Sequence, residues 1–142
     1  MVLCIFNYWN ASAQIITINF PRFINWIGII GLWLGIPFDI ANFYYNVNFT
    51  RLYKPLKDKY VLATGGPYKY VRHPMYVAGA MEVITFFLAT GIWIIPFYLI
   101  IFLIALPFQA NGEEELLKGR FGKIYVDYMA KVGRFVPKLK KV

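Results

Sequence analysis

The chain is poor in the residues that build disulfide scaffolds, metal centres and water-facing surfaces. Its single cysteine, Cys4, excludes an internal disulfide framework and a cysteine-based zinc site. Charged residues make up only 15% of the 142 residues, against roughly 25% in an average soluble domain. A basic start followed by a small-residue cleavage site is also missing, so we expect no cleaved signal peptide. We predict no metal ligands.

Apolar and basic residues dominate instead. Hydrophobic residues account for 59% of the sequence and aromatic residues for 20%, which indicates an integral membrane protein. A net charge of +8 could suggest a nucleic-acid partner, but every basic residue except Arg22 lies within residues 51–72 or 118–141. Basic clusters beside apolar spans are typical of cytoplasmic loops and of contact with anionic lipid. We therefore predict membrane lipid, and no nucleic acid, as the partner.

The apolar segments predict the crossings of the membrane. Residues 23–45 are long enough for one transmembrane helix, whereas residues 1–20 fit a short span, an interfacial segment or the remnant of a longer helix. Residues 75–108 contain one charge, Glu82, and would extend about 51 Å as a single helix, well beyond the hydrocarbon core. Because both flanks are basic, this segment should cross an even number of times. We predict a helical hairpin that turns near Thr90-Gly91.

The C-terminal part predicts a helix on the membrane surface. Residues 113–132 carry an apolar stripe at three- and four-residue steps, and Gly122 is a candidate break. Three glutamates open the segment, where the helix dipole favours acids. The predicted fold is thus an all-α integral membrane helical bundle with a C-terminal hairpin and an amphipathic surface helix. We assign residues 1–142 to one domain, in which residues 1–50 form a membrane part and residues 51–142 contain the hairpin and bind the cofactor.

The segment GGPYKYVRHPMYVAG, residues 65–79, holds the only histidine, His73. Pro74 is suited to be the first residue of a helix that enters the membrane, because its missing N–H would have no partner there anyway. Arg72 and His73 would then lie at the helix mouth beside several tyrosines. This suits a polar cofactor that serves a lipid-side substrate, or alternatively an interfacial anchor. Glu82, inside the apolar hairpin, is either a functional carboxylate or a hydrogen-bonded structural one.

Two motifs together resemble a known family. The run GPYKYVRHPMY is followed, after the hairpin, by EEELLKGRFGKIYVDYMAKVGRFVP. This combination is similar to integral-membrane methyltransferases, which include isoprenylcysteine carboxyl methyltransferases and phospholipid N-methyltransferases. The resemblance covers roughly residues 59–137.

The resemblance implies S-adenosylmethionine as cofactor, bound at the cytoplasmic face of a multi-pass protein, and a lipidic substrate that enters from the bilayer. By carry-over, and by the chemistry of their side chains, we expect Arg72, His73 and Glu82 to be catalytic. The expected cofactor contacts are Leu62, Tyr68, His73, Pro74, Met75, Tyr76, Glu113 and Glu114.

Three positions depart from the family pattern. Ala78 fills a position that is often glycine. Tyr60 replaces a histidine in the segment that contains Leu62, which leaves backbone contacts to the cofactor intact. Gln109 occupies a position where carboxyl methyltransferases place an arginine for the substrate. A neutral amide there, together with the acid Glu82 inside the first hairpin arm, disfavours a prenylcysteine carboxylate and favours a lipid amine or an uncharged amphiphile.

Two alternatives remain at the sequence level. One is a related membrane fold that binds another cofactor, as nicotinamide-dependent sterol reductases do, and the other is a non-catalytic membrane module. The sequence does not predict the oligomeric state.

Overall fold

A computed structural model describes residues 17–46 and 61–138. These contain α1 (Arg22–Tyr45), a 3-10 helix (Gly66–Lys69), α2 (Pro74–Thr90), α3 (Ile95–Phe121) and α4 (Lys123–Lys131). Within the described ranges the only β-structure is two isolated bridges, so the all-α prediction is confirmed. The predictions for residues 1–16 and for the basic loop through Tyr60 lie outside the described residues.

The helices contribute to two compact units. Of the described residues, the apolar unit comprises residues 17–36 and 79–105, and the polar unit comprises residues 37–46, 61–78 and 106–138. Each of α1, α2 and α3 therefore has one part in each unit. The assignment of the whole chain to one domain stays a prediction.

Two helices are long and apolar enough to cross a membrane. These are α1 and α3, each with a mean hydropathy of 1.6, and the shorter α2 is also apolar. The α1 span agrees with the prediction for residues 23–45. Large side chains on it point outward, with Trp33 71% exposed and Leu34 68% exposed. Because a soluble protein would bury such side chains, this exposure indicates contact with lipid.

In the apolar unit, α1 and α2 approach closely where α1 has no side chain. Gly28 lies directly against the backbone of Ala89, and Gly31 lies against the methyl group of Thr85. Small residues at a helix contact let the backbones come together. The Asn25 amide then donates to the carbonyl oxygens of Leu88 and Ala89, at 3.2 and 3.1 Å. These bonds join the two helices at the end of α2.

The hairpin turn forms at the predicted place. Gly91 has a φ of +71°, a left-handed conformation that favours glycine. Its carbonyl oxygen accepts a bond from the Ile18 N–H at 2.7 Å. The Thr90 hydroxyl donates to the Phe86 carbonyl at 2.9 Å and accepts from the Ile92 N–H at 3.3 Å. The backbone polar groups at the end of α2 are thereby satisfied inside an apolar region.

The second arm of the hairpin is longer than predicted. Helix α3 continues through Pro107 and the glutamates to Phe121, and the chain breaks only at Gly122, which has a φ of +53°. The prediction that Glu113 begins a separate surface helix was therefore wrong, although Gly122 is confirmed as a break. A change from apolar to polar composition does not end a helix, and a proline removes one hydrogen bond without always ending it. Of the predicted surface helix, only the short α4 forms a helix of its own.

Candidate functional site

The start of the site is built by the 3-10 helix in the polar unit. Tyr68 is buried, and its hydroxyl accepts a bond from the Asn46 amide at 3.0 Å. Its carbonyl oxygen accepts from the Tyr128 hydroxyl at 2.7 Å. Burial raises the pKa of Tyr68 to about 12, against a smaller lowering by the Asn46 bond and with a further increase from the charge of Glu113. The hydroxyl is therefore neutral at physiological pH. Through its hydroxyl and its carbonyl oxygen together, Tyr68 joins three segments of the chain.

A C-terminal strap, residues 132–136, runs beside the segment that precedes α2. Val71 and Gly133 form a parallel bridge. The Arg72 N–H donates to the Gly133 carbonyl at 2.8 Å, and the His73 N–H donates to the Arg134 carbonyl at 3.1 Å. A side chain at Gly133 would collide with the Val136 carbonyl oxygen, so the strap can take this path only with glycine there. This pairing brings two further side chains, Arg134 and Phe135, into the site.

Glu114 is the centre of a buried charge cluster. Its side chain is only 2% exposed. Its Oε1 accepts from the Arg72 Nε and Nη2 at 3.0 and 2.9 Å, and lies 3.1 Å from the His73 Nε2. Arg134 donates to both carboxylate oxygens. The bond to Glu114 raises the pKa of Arg134, which burial alone would lower. Two guanidinium groups thus compensate one buried carboxylate, which would be very costly alone.

Arg72 is fully engaged by the protein. Besides Glu114, its Nη1 donates to the carbonyl oxygens of Met129 and Val132, at 3.3 and 2.6 Å. Its side chain is 9% exposed. All three guanidinium nitrogens therefore have protein acceptors, and Arg72 fixes the end of α4 and the strap.

Glu113, the adjacent residue on α3, has a different environment. Its side chain is 47% exposed. It accepts a hydrogen bond from the Tyr76 hydroxyl, and its Oε2 lies 3.4 Å from the His73 Nδ1. The His73 ring stacks on Tyr76 at a centroid distance of 5.4 Å and contacts Phe135 at 5.7 Å. Glu113 is thus a carboxylate held in position by two partners while one side stays open.

The other predicted residues of this unit lie around the cluster. Pro74 is the first residue of α2, as predicted, and is fully buried, with the half-buried Met75 after it. Gln109 is exposed on α3, one helical turn before Glu113 and on the same face. Leu62 is half-buried in the irregular stretch before the 3-10 helix. Among the predicted site residues, five are linked by side-chain hydrogen bonds or ion pairs: Arg72, His73, Tyr76, Glu113 and Glu114.

Glu82 does not belong to this cluster. It is part of the apolar unit, where its carboxylate lies beside Gly35 of α1. It lines a cavity of about 730 Å³ whose other residues are nearly all apolar: Leu32, Trp33, Ile36, Val83, Phe86, Ile94, Ile95 and Tyr98.

Sequence reasoning did not identify the residues of the strap. Arg134 and Phe135 lie in the run GRFVP, which the resemblance included without a role. The sequence did contain a signal for Arg134, because a buried glutamate needs compensating cations and residues 118–141 contain many basic side chains. Tyr125 was also missed as a site residue. Its buried hydroxyl has no partner in the described part of the chain. Burial and the charge of Glu114 raise the pKa of Tyr125 to about 12, while Arg72 and Arg134 lower it.

Comparisons with known proteins agree with the motif resemblance. A family model described as phospholipid methyltransferase matches residues 23–124, more than two thirds of the chain. The matched range begins in α1 and ends in α4, so it contains His73, Glu113 and Glu114 but precedes Arg134. No curated protein matches the chain.

Proposed function

Because the chain belongs to the phospholipid methyltransferase family, we propose that it transfers a methyl group from S-adenosylmethionine to an amine-bearing membrane lipid. The family implies methyl transfer to lipid substrates, and the methyl donor and the amine acceptor are our proposal. The observation that carries it is the contrast between an open carboxylate, Glu113, and two arginines that are occupied by Glu114.

The residues around Glu113 fit the proposed cofactor. S-adenosylmethionine supplies, when bound, a methyl group on a positively charged sulfur, and it also carries ribose hydroxyl groups. Glu113 can accept from hydroxyl groups or face the positive charge. The aromatic rings of Tyr76 and Phe135 favour a cation near their faces. We propose that the cofactor is held by Glu113 and Tyr76 with the predicted neighbours Leu62, Tyr68, His73, Pro74 and Met75.

Glu114 and Arg72 have positioning roles in this proposal. Their polar groups are used by each other, by Arg134 and by the α4 carbonyl groups. Glu114 orients His73 through the Nε2, and His73 in turn holds Glu113 through the Nδ1. In this proposal, the predicted cofactor contact of Glu114 and the predicted catalytic role of Arg72 become indirect effects on Glu113.

An amine acceptor matches the charges that remain accessible. Arg72 is occupied by Glu114 and Gln109 is neutral, so neither side chain offers a positive charge to a substrate carboxylate. The partly exposed carboxylate of Glu113 would instead attract a cationic headgroup. An amine must lose a proton before it can attack a methyl carbon. We propose that the Glu113 carboxylate takes this proton. S-adenosylmethionine, when bound, would supply the methyl carbon for the new N–C bond, and the electron pair of its C–S bond would stay on sulfur.

A parallel assay tests the substrate. Detergent-purified protein is incubated with labelled S-adenosylmethionine and either an aminophospholipid or a prenylcysteine. We expect methylation of the amine and weak or absent methylation of the prenylcysteine. Gln109→Arg should raise the prenylcysteine activity, because it supplies the missing charge-assisted contact. Prenylcysteine methylation equal to that of the amine in the unmodified protein would contradict the proposal.

The site is proposed to face the cytoplasm. Basic residues flank the hairpin on both sides, so Lys69 and Lys123 should lie on one side of the membrane. In a Cys4→Ser background, cysteines at these two positions should react with a membrane-impermeant reagent from the same face of sealed vesicles. Reaction from opposite faces would refute the even number of crossings.

A further inference from the structure

One amide side chain among the described residues of the polar unit lacks the partners that its burial requires. Asn42, on α1, is 0% exposed. Neither its Nδ2 nor its Oδ1 has a hydrogen-bond partner among the described residues. Buried polar groups are almost always paired in folded proteins, and an unpaired amide costs free energy at both ends. Such a residue is therefore a candidate for a partner that the chain itself does not contain.

Two other asparagines, one on α1 and one directly after its end, are paired within the chain. Asn25 donates to the carbonyl oxygens of Leu88 and Ala89. Asn46 follows the last residue of α1, one turn after Asn42, and donates to the Tyr68 hydroxyl. Asn42 thus lies one helical turn before a residue that binds Tyr68, which is a predicted cofactor contact.

The chemistry of the amide restricts its partner. A single partner that satisfies both atoms accepts from the Nδ2 and donates to the Oδ1, and a neutral partner brings no uncompensated charge into the buried site. A lipid ester only accepts, and an ammonium group only donates. The edge of an adenine ring offers a ring nitrogen that accepts next to an amino group that donates, and asparagine pairs with adenine in this two-bond manner.

We propose that Asn42 recognises the adenine ring of the methyl donor, an inference that rests on the proposed function. Glu113 is suited to the charged and hydroxylated parts of that molecule, whereas a neutral buried amide is suited to its base. Asn42 is closed off from solvent, so the proposal requires that a side chain covering it moves aside when the ring binds. The unpaired amide is then a site prepared for a ligand at the expense of stability.

The test is calorimetric titration with S-adenosylhomocysteine and with its analogue that carries purine in place of adenine. The analogue lacks the amino group but adds no bulk. The unmodified protein should bind the analogue about ten- to a hundredfold more weakly, since it leaves the Oδ1 unpaired. Asn42→Leu should weaken binding of S-adenosylhomocysteine by a similar factor, and should bind the two compounds equally.

Thermal unfolding without ligand gives an independent measurement. Asn42→Leu should have an unchanged or higher Tm, because it removes an unpaired amide at similar volume. The matched control is Asn25→Leu, which should lower the Tm but keep the preference for adenine, because Asn25 is paired within the chain.

The outcomes separate this inference from the proposed function. A preserved preference for adenine in Asn42→Leu, or a clear fall in its Tm, would overturn the role of Asn42 while leaving the proposed function intact. If the unmodified protein does not bind S-adenosylhomocysteine at all, both are overturned.

Discussion

The apolar and polar units are stabilised by opposite means. In the apolar unit, α1 meets α2 where glycine leaves room for backbone contact, at Gly28 and Gly31. In the polar unit, the segments are joined by charged side chains, with Glu114 bound by Arg72 and Arg134. Helices surrounded by lipid gain little from the hydrophobic effect between them and depend on close packing. Buried charges must instead be compensated by opposite charges. In the polar unit the charge of Glu114 is fully compensated, whereas the side chain of Glu113 remains partly exposed.

This difference predicts that the largest single effect on stability arises in the polar unit. Glu114→Gln leaves two guanidinium groups without their anion, and breaking a buried ion pair costs about 3–5 kcal/mol. We expect a correspondingly large fall in the free energy of unfolding, measured by denaturation in detergent.

The neighbouring residue Glu115 provides the control. It is exposed and contacts only Lys118 among the pairs of the described chain, at 3.0 Å, and exposed pairs contribute little. Glu115→Gln should therefore leave the stability unchanged. Equal stabilities of the two variants would show that the charge cluster does not stabilise the polar unit.

A smaller effect is expected in the apolar unit. Gly28→Ala places a methyl group against the backbone of Ala89 and so forces α1 away from α2. Overpacking of this kind costs about 1–3 kcal/mol, and ligand affinity of the folded fraction should not change, because Gly28 is outside the polar unit.

Gly119→Ala on α3 is the control. Nothing lies within 4 Å of a Cβ there, so this change should stabilise by about 0.5–1 kcal/mol. A loss of ligand affinity in Gly28→Ala would show that the two units are not independent in this respect.

The smallest effects concern two tyrosines of α4. Tyr125→Phe removes a buried hydroxyl without a partner in the described residues and should be neutral or slightly stabilising. Tyr128→Phe loses the bond to the Tyr68 carbonyl and should cost about 1 kcal/mol. Thermal unfolding of both variants measures which of them loses more stability. A larger loss in Tyr125→Phe would mean that its hydroxyl has a partner.

The features that the sequence predicted correctly are mostly local. Pro74 begins α2 and Gly91 forms the hairpin turn because a single residue determines the backbone there. The motif resemblance assigned His73, Glu113 and Glu114 to one cofactor site, and the contacts of His73 with both glutamates were not predicted. In contrast, Arg134 reaches Glu114 only because the strap pairs with residues about sixty positions earlier. No periodic pattern encodes such a pairing.

The end of the hairpin shows a second limit. The transition from apolar to polar residues after Phe108 was interpreted as a boundary, but the α3 backbone continues for three more turns. Helix ends depend on capping and on backbone conformation, which Gly122 supplies and residues 108–113 do not. The placement of Glu113 on a long helix, rather than at the start of one, followed from this and could not be derived from polarity alone.

The central claim is that the open carboxylate Glu113 belongs to a site for S-adenosylmethionine. Calorimetric titration of detergent-purified protein with S-adenosylhomocysteine and, separately, with NADPH tests it most directly. We expect S-adenosylhomocysteine to bind and NADPH not to bind. Glu113→Gln should weaken binding about ten- to a hundredfold through loss of a charge-assisted hydrogen bond, while Glu115→Gln should have no effect. Binding of NADPH without S-adenosylhomocysteine, or an unchanged affinity in Glu113→Gln, would contradict the account.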